Sequence, residues 1–200
     1  MTHVWYVSYG SNLARDRLDC YLAGGCPPGG ARSNPGARDT SPPLADAAVW
    51  LPGTVYFAGD SPQWGGGVAF YDHLTPGSTA ARAYLVSAGQ FADIAAQEMY
   101  RLPAENDPVE ALVLAPLAGG RHRLGPGEYE TLVEVGRRDG APMLTFTAPH
   151  GATGVPHVRP SPAYCDTIVR GLVEAHGWSP AHARDYVDRR APQRRPPKIS

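Results

Sequence analysis

Charge is scarce in this chain. Asp, Glu, Lys and Arg account for 18% of 200 residues, with a formal net charge of −1, against roughly 25% in an ordinary domain. Long apolar runs are missing too. Nothing approaches about 18 uninterrupted apolar residues, which excludes a membrane-spanning helix. The opening residues, MTHVWYVSYG, contain no basic stretch followed by an apolar run, so no secretory signal is expected. Cysteine is limited to Cys20, Cys26 and Cys165. Three thiols cannot pair completely, and none sits at a C-x-x-C metal spacing. A reduced, cytoplasmic chain without a membrane partner is the expectation.

What is plentiful is glycine (23) and proline (21), alongside 42% hydrophobic residues. That hydrophobic content suffices for a core, so the chain reads as loop-rich and mostly β, not as a helical bundle. Five of its 18 basic residues (Arg189, Arg190, Arg194, Arg195 and Lys198) fall in the last twelve positions, where no acid occurs. Residues 1–188 read as a single domain of acidic balance, which would repel phosphates and argues against a nucleic-acid partner. Residues 189–200 read as a basic, flexible, proline-broken tail.

His3 to Tyr9 is rich in Val, Trp and Tyr and predicts a strand. Gly10 breaks it, and Ser11 or Asn12 can cap a helix with its apolar stripe at Ala14, Leu18, Tyr21 and Leu22. Residues 24–43 form an irregular excursion dense in Gly and Pro. Further strands are expected at Ala48–Leu51, Gly53–Ala58, Gly67–Tyr71 and Arg82–Ser87. Ser87-x-x-Gln90 has capping-box spacing for a helix to about Arg101, whose stripe is Phe91, Ile94, Ala95, Glu98, Met99 and Leu102. The apolar run Ala111–Ala118 and a Gly-rich turn lead to strands near Tyr129–Val135 and Met143–Thr147. Ser161-Pro162 and Ser179-Pro180 each signal a helix start, and Gly177 a stop between them.

Three places can carry chemistry. At Tyr9-Gly10-Ser11-Asn12-Leu13 a strand passes through glycine into a helix start. Unpaired backbone N–H groups there can hold a carboxylate, a phosphate or an oxyanion, unless the Ser or Asn simply caps the helix. Glu98 lies on the apolar stripe of its helix. Burial would raise its pKa and suit it to general acid–base work, unless it reaches water or pairs with Arg82 or Arg101. His150 and His157, seven residues apart in a Gly/Pro loop, are two potential metal ligands without an evident third, so no metal is expected. A Ser11-based nucleophile with His and Asp partners is also conceivable.

Taken in order, YGSNL at Tyr9–Leu13, WGGGVAFYDHLTPG with ARAYLVS, the helix FADIAAQE ending on Glu98, and PSPAY at Pro160–Tyr164 resemble the gamma-glutamylcyclotransferase family. The resemblance implies an α+β fold: a small mixed β-barrel with one inserted helix and C-terminal helices. It implies an enzyme that cyclises a small-molecule γ-glutamyl amide to 5-oxoproline with release of an amine and no cofactor. Glu98 would be the catalytic carboxyl, and Tyr9, Gly10, Ser11, Asn12, Leu13 and Tyr164 the substrate-binding residues. Met99 departs from the glycine that many members carry after the glutamate. The segments 24–43 and 102–127 look like insertions beside the pocket and are expected to set the amine side of the substrate. An amide hydrolase or acyl transferase using the same cavity, or a non-catalytic small-molecule-binding module, are the alternatives.

Overall fold

Strand-forming residues open the computed structural model, which describes residues 2–192. In chain order the elements are β1 (His3–Ser8), a 3₁₀ turn (Ser11–Leu13), α1 (Arg15–Ala23), β2 (Ala45–Pro52), β3 (Thr54–Ala58), β4 (Val68–Asp72) and β5 (Ser78–Ser87). Then come α2 (Ala88–Glu98), α3 (Pro108–Leu112), β6 (Arg121–Arg123), β7 (Thr131–Arg138), β8 (Ala141–Thr147), α4 (Pro162–His176) and α5 (Pro180–Asp188). Among the described residues no helix is long and apolar enough to cross a membrane.

Six strands form one sheet in the order β2-β5-β1-β8-β7-β6, and β3 pairs with β4 alone. β1 runs antiparallel to β5, with His3 opposite Ser87 and Ser8 opposite Arg82, and parallel to β8. The class is α+β, as expected, but the sheet is open. Closure into a barrel would need the β3–β4 hairpin to bridge the edges. Instead β6 is a three-residue, exposed edge strand, and the hairpin pairs only with itself.

The central strands are buried on both faces, so side chains alternate between two cores. On β1, Trp5, Val7 and Tyr9 point to one side with the hairpin, α4 and α5. Val4 and Tyr6 point to the other, against α1 and α2. The stripes read from sequence supply the helical halves: Leu18, Tyr21 and Leu22 from α1, Phe91 and Ile94 from α2, and Ile168 and Leu172 from α4.

The helix signals act as sequence predicts at α2, α4 and α5. The Ser87–Gln90 capping box is complete, Ser161 and Ser179 accept from the N–H groups of Tyr164 and His182, and Gly177 ends α4 with φ 65°. Elsewhere the chain departs. Neither Ser11 nor Asn12 caps α1; its N-cap is Ala14, without a side-chain bond. α2 stops at Glu98, short of Arg101, leaving Leu102 76% exposed and off the stripe. The excursion 24–43 contains no helix or strand beyond an isolated bridge between Gly25 and Asn34. Of the basic tail, Arg190 lies on the body, its guanidinium 3.4 Å from the Tyr186 ring centroid and donating to Ser78 O. Residues 193–200 lie outside the described residues.

Gly171 sits inside α4, where glycine costs about 1 kcal/mol relative to alanine. A methyl group there would overlap the peptide between Leu13 and Ala14. The glycine is what lets α4 rest on the 3₁₀ turn. Gly171→Ala is therefore expected to destabilise, by about 1–3 kcal/mol of overpacking, against the gain that helix propensity alone implies. Chemical denaturation of the two proteins checks the sign.

Candidate active site

The turn after β1 opens onto a cavity of about 450 Å³. Its walls come from segments far apart in sequence: Tyr6–Asn12, Arg17 and Tyr21, Arg32–Pro35, Asp60–Trp64, Gln97–Leu102, Gly127–Glu130 and Tyr164. The excursion 24–43 thus contributes a wall directly. The second insertion contributes only its two ends.

The turn is held from its core side. Tyr84 Oη donates to the carbonyls of Asn12 (2.9 Å) and Leu13 (3.1 Å), and Arg82 Nη1 to Leu13 O (3.0 Å). Arg82 is itself clamped by Asp46 and Glu174. Leu13 N–H is spent on Gly10 O at 3.1 Å. Leu13 is fully buried in the core and does not line the cavity, so its expected contact with a ligand is corrected. Its side chain fastens the turn from behind. Gly10, Ser11 and Asn12 do line the cavity. A Cβ on Gly10 would stand 3.1 Å from Tyr164 Oη, which accepts from Ala69 N–H at 3.2 Å. Tyr9 lines the cavity with its ring while its hydroxyl donates to Phe146 O at 2.6 Å.

Glu98, half-buried in the last turn of α2, reaches the same cavity. Asn12 Nδ2 donates to its Oε1 at 3.0 Å and to Tyr6 Oη at 2.9 Å. Burial pushes the Glu98 carboxyl above the ordinary carboxylate range. The Arg17 charge and hydrogen bonds from Tyr21 and Asn12 pull it partly back. The negative end of the α2 dipole acts in the same direction as burial. Neither arginine that could have neutralised it does so: Arg82 pairs with Asp46 and Glu174, and Arg101 lies 3.7 Å from Asp107.

Arg17 belongs to this site although no motif announces it. It lies three residues after Ala14 on the apolar stripe of α1, the same signal that marks Glu98 on α2. Only 3% exposed, it donates to Asn34 Oδ1 (2.7 Å) and Tyr21 Oη (2.8 Å), and its guanidinium carbon stands 4.1 Å from the Tyr21 ring centroid. The Asp60–Gln63 part of the wall carries no periodic or motif signal, whereas Trp64 opens the WGGGVAFYDHLTPG stretch. His150 and His157 sit in the loop between β8 and α4, against Tyr56 of the β3–β4 hairpin. His150 shares a hydrogen bond with Tyr56 Oη and His157 with Ala152 O. Among the described residues no three His, Cys, Asp or Glu side chains gather as metal ligands.

α2 ends in an unusual way. Arg101 N–H reaches Ala96 O (2.7 Å) and Tyr100 N–H reaches Gln97 O (3.1 Å), a closure that places Tyr100 in the left-handed region at φ 56°. Glycine normally occupies this position at no steric cost. Tyr100 instead presents a 66% exposed ring at the cavity rim, with the Arg32 guanidinium 5.4 Å from its centroid.

Comparison with known proteins comes down to the fold. No family model matches the chain. Histone deacetylase 5 of Arabidopsis thaliana is 31% identical over 200 residues, covering 93% of this chain and 30% of that protein. The chain therefore spans about 30% of the length of the curated relative it matches. Among solved structures, a gamma-glutamyl cyclotransferase superposes with a TM-score of 0.55 at 14% identity, over 99% of this chain and 94% of that one. The chain has the gamma-glutamyl cyclotransferase fold. An uncharacterized protein from Homo sapiens has the same fold, with a TM-score of 0.53 at 17% identity, over 100% of this chain and 95% of that one.

On this fold the left-handed tyrosine generates an expectation. Tyr100→Gly should stabilise the protein by about 1 kcal/mol by relieving backbone strain, while removing a rim contact and so weakening turnover. Thermal unfolding and steady-state kinetics measured together test this. A variant that is both less stable and fully active would contradict it.

Proposed function

We propose that this chain is a cofactor-independent cyclotransferase that converts a γ-glutamyl amide to 5-oxoproline and a free amine, with Glu98 as the proton shuttle. The observation that carries this reading is the desolvated Glu98 carboxyl facing the same cavity as the Gly10–Asn12 turn, to which Asn12 ties it. The cyclotransferase fold is consistent with it.

In this reaction the α-amino nitrogen of the substrate attacks its own γ-carbonyl carbon. The nucleophile is already tethered, so no enzymic nucleophile is required. The new N–C bond closes a five-membered ring, and the former amide C–N bond breaks. Glu98 takes the proton that the attacking amine loses and returns it to the departing nitrogen, so proton and electron pair both balance. Negative charge develops on the carbonyl oxygen between these steps, and backbone N–H groups of Gly10, Ser11 and Asn12 are the donors suited to it. Tyr9 and Tyr164 supply a rigid aromatic wall, their hydroxyls already engaged.

A second reading is hydrolysis, with Glu98 activating water against an amide. The deacetylase name belongs to a relative of which this chain matches only 30%, and no feature of the cavity favours that chemistry over cyclisation. Product identity separates the two, since cyclisation yields 5-oxoproline and hydrolysis yields glutamate. The 24–43 wall, carrying Arg32 and Asn34 into the cavity, suits it to choosing the amine side. Trimming residues 28–40 is a poor test of that choice. It would remove Arg38, whose side chain and N–H bind the buried Asp93 carboxylate at 2.9 Å each. An unpaired buried carboxylate costs about 3–5 kcal/mol, so the deletion should lower the melting temperature sharply. Substitution of Arg32 is the cleaner probe.

Glu98→Gln preserves shape and removes the base. Turnover of γ-glutamyl amides to 5-oxoproline should fall by about 10²-fold or more with little change in substrate binding. Near wild-type turnover would refute the assignment. Because the folded carboxyl has a raised pKa, its stabilising contribution is present below the ordinary carboxylate value and lost as pH rises through the folded value. Glu98→Gln should therefore gain stability relative to wild type across that window. Wild-type kcat/KM should fall on its acid side above the ordinary carboxylate range.

A further inference from the structure

A charged group buried in a protein demands a counter-charge. Arg17 is 3% exposed, lines the cavity, and has no carboxylate within 4 Å among the described residues. Its bonded partners, the Asn34 amide and the Tyr21 hydroxyl, are neutral. Its Nε is buried without an acceptor, and across the site the Oδ1 of Asn12 is likewise buried without a donor. Unpartnered guanidinium Nε atoms recur in this protein, at Arg82, Arg170 and Arg190; what sets Arg17 apart is that it lines the cavity without a direct ion pair among the described residues.

We infer that Arg17 is the carboxylate-recognition residue of the cavity, and that its ligands are small molecules carrying a free carboxylate on the carbon next to the reacting amine. Two of the five guanidinium N–H donors are engaged, which leaves others for an anion, and the planar fork matches a carboxylate. The inference rests on the cyclotransferase reading for the identity of the ligand. In a γ-glutamyl group the α-carboxylate and the α-amine share one carbon. A carboxylate held beside Glu98 therefore places the amine near its base, and Arg17 is the buried cation whose charge Glu98 feels. The turn contributes fewer donors than its length suggests, because Leu13 N–H is bonded to Gly10 O. Assigning the carboxylate to Arg17 leaves the remaining turn N–H groups to the carbonyl oxygen. A purely structural Arg17, bracing Asn34 against α1, would explain the two bonds but not a guanidinium that lines the cavity without a direct ion pair.

The test is calorimetric titration of the full chain with 5-oxoproline, 5-oxoprolinamide and glutarate, beside a turnover assay with γ-glutamyl amides. Wild-type protein should bind 5-oxoproline about 10²-fold more tightly than its amide, the loss typical of removing a charge-assisted bond. This comparison needs no variant. Arg17→Met should abolish the preference and Arg17→Lys keep part of it, with unchanged near-UV circular dichroism showing that both fold. Equal binding of acid and amide by wild type, no binding of either carboxylate ligand, or a preference that survives in Arg17→Met would each overturn the proposal. The two readings fail separately. Arg17-dependent binding of glutarate without any release of 5-oxoproline from γ-glutamyl amides sustains the anion site and refutes the cyclotransferase. Turnover with Arg17-independent carboxylate binding does the reverse.

Discussion

The site depends on one close approach, that of α4 against the turn that follows β1. Gly171 removes the side chain that would hold the two apart. From the sheet side, Tyr84 and Arg82 bind the carbonyls of Asn12 and Leu13. A turn of three residues has little hydrogen bonding of its own, and exposed backbone of this kind is ordinarily mobile. Gripped from both directions, it has the carbonyls of Asn12 and Leu13 satisfied on the core side while Ser11 and Asn12, with Gly10 before them, line the cavity. The residues around the turn least open to substitution are therefore those that line no cavity: Leu13 behind it, Gly171 beneath it, and the Arg82 clamp between Asp46 and Glu174.

A second constraint follows from bringing a half-buried acid and a buried base into one cavity without pairing them. Arg17 and Glu98 sense each other, yet each is bonded to neutral groups, Tyr21 and Asn34 on one side, Asn12 and Tyr21 on the other. A direct ion pair would commit the two charges to each other and leave neither for a ligand. Separated, each charge stays costly, and on the proposed reading the cost is recovered when a ligand that carries both an amine and a carboxylate enters.

Much of the fold is legible in the sequence because its signals are local. Ser161-Pro162, Ser179-Pro180 and the Ser87–Gln90 box start helices where they stand, and alternation along Val4–Tyr9 divides one strand between two cores. Glu98 could be singled out because a carboxylate on an apolar stripe breaks the pattern. Arg17 breaks the pattern of α1 in the same way and carries equal information. What could not be read is set by tertiary pairing. The β3–β4 hairpin pairs with itself instead of closing the sheet, so the expected barrel is open. Tyr100 in the left-handed region runs against its own propensity, and no local rule anticipates a side chain held there by a helix end. Ser11 and Asn12 have capping chemistry but do not cap, because Asn12 is drawn instead to Tyr6 and Glu98.

On the proposed reading, the same contact that orients the substrate also strengthens the base. Arg17 lowers the Glu98 pKa in the empty cavity. A substrate carboxylate on Arg17 neutralises that influence and expels water from the wall, and both changes raise the affinity of Glu98 for a proton. Basicity thus increases at the moment an amine must be deprotonated, and falls again when the 5-oxoproline carboxylate leaves. An enzyme with an intramolecular nucleophile needs little beyond this, which is why the cavity can function without a triad. Ser11 stands at the turn with its neighbours engaged elsewhere, and the histidines His150 and His157 are bonded to Tyr56 and Ala152 on the hairpin side.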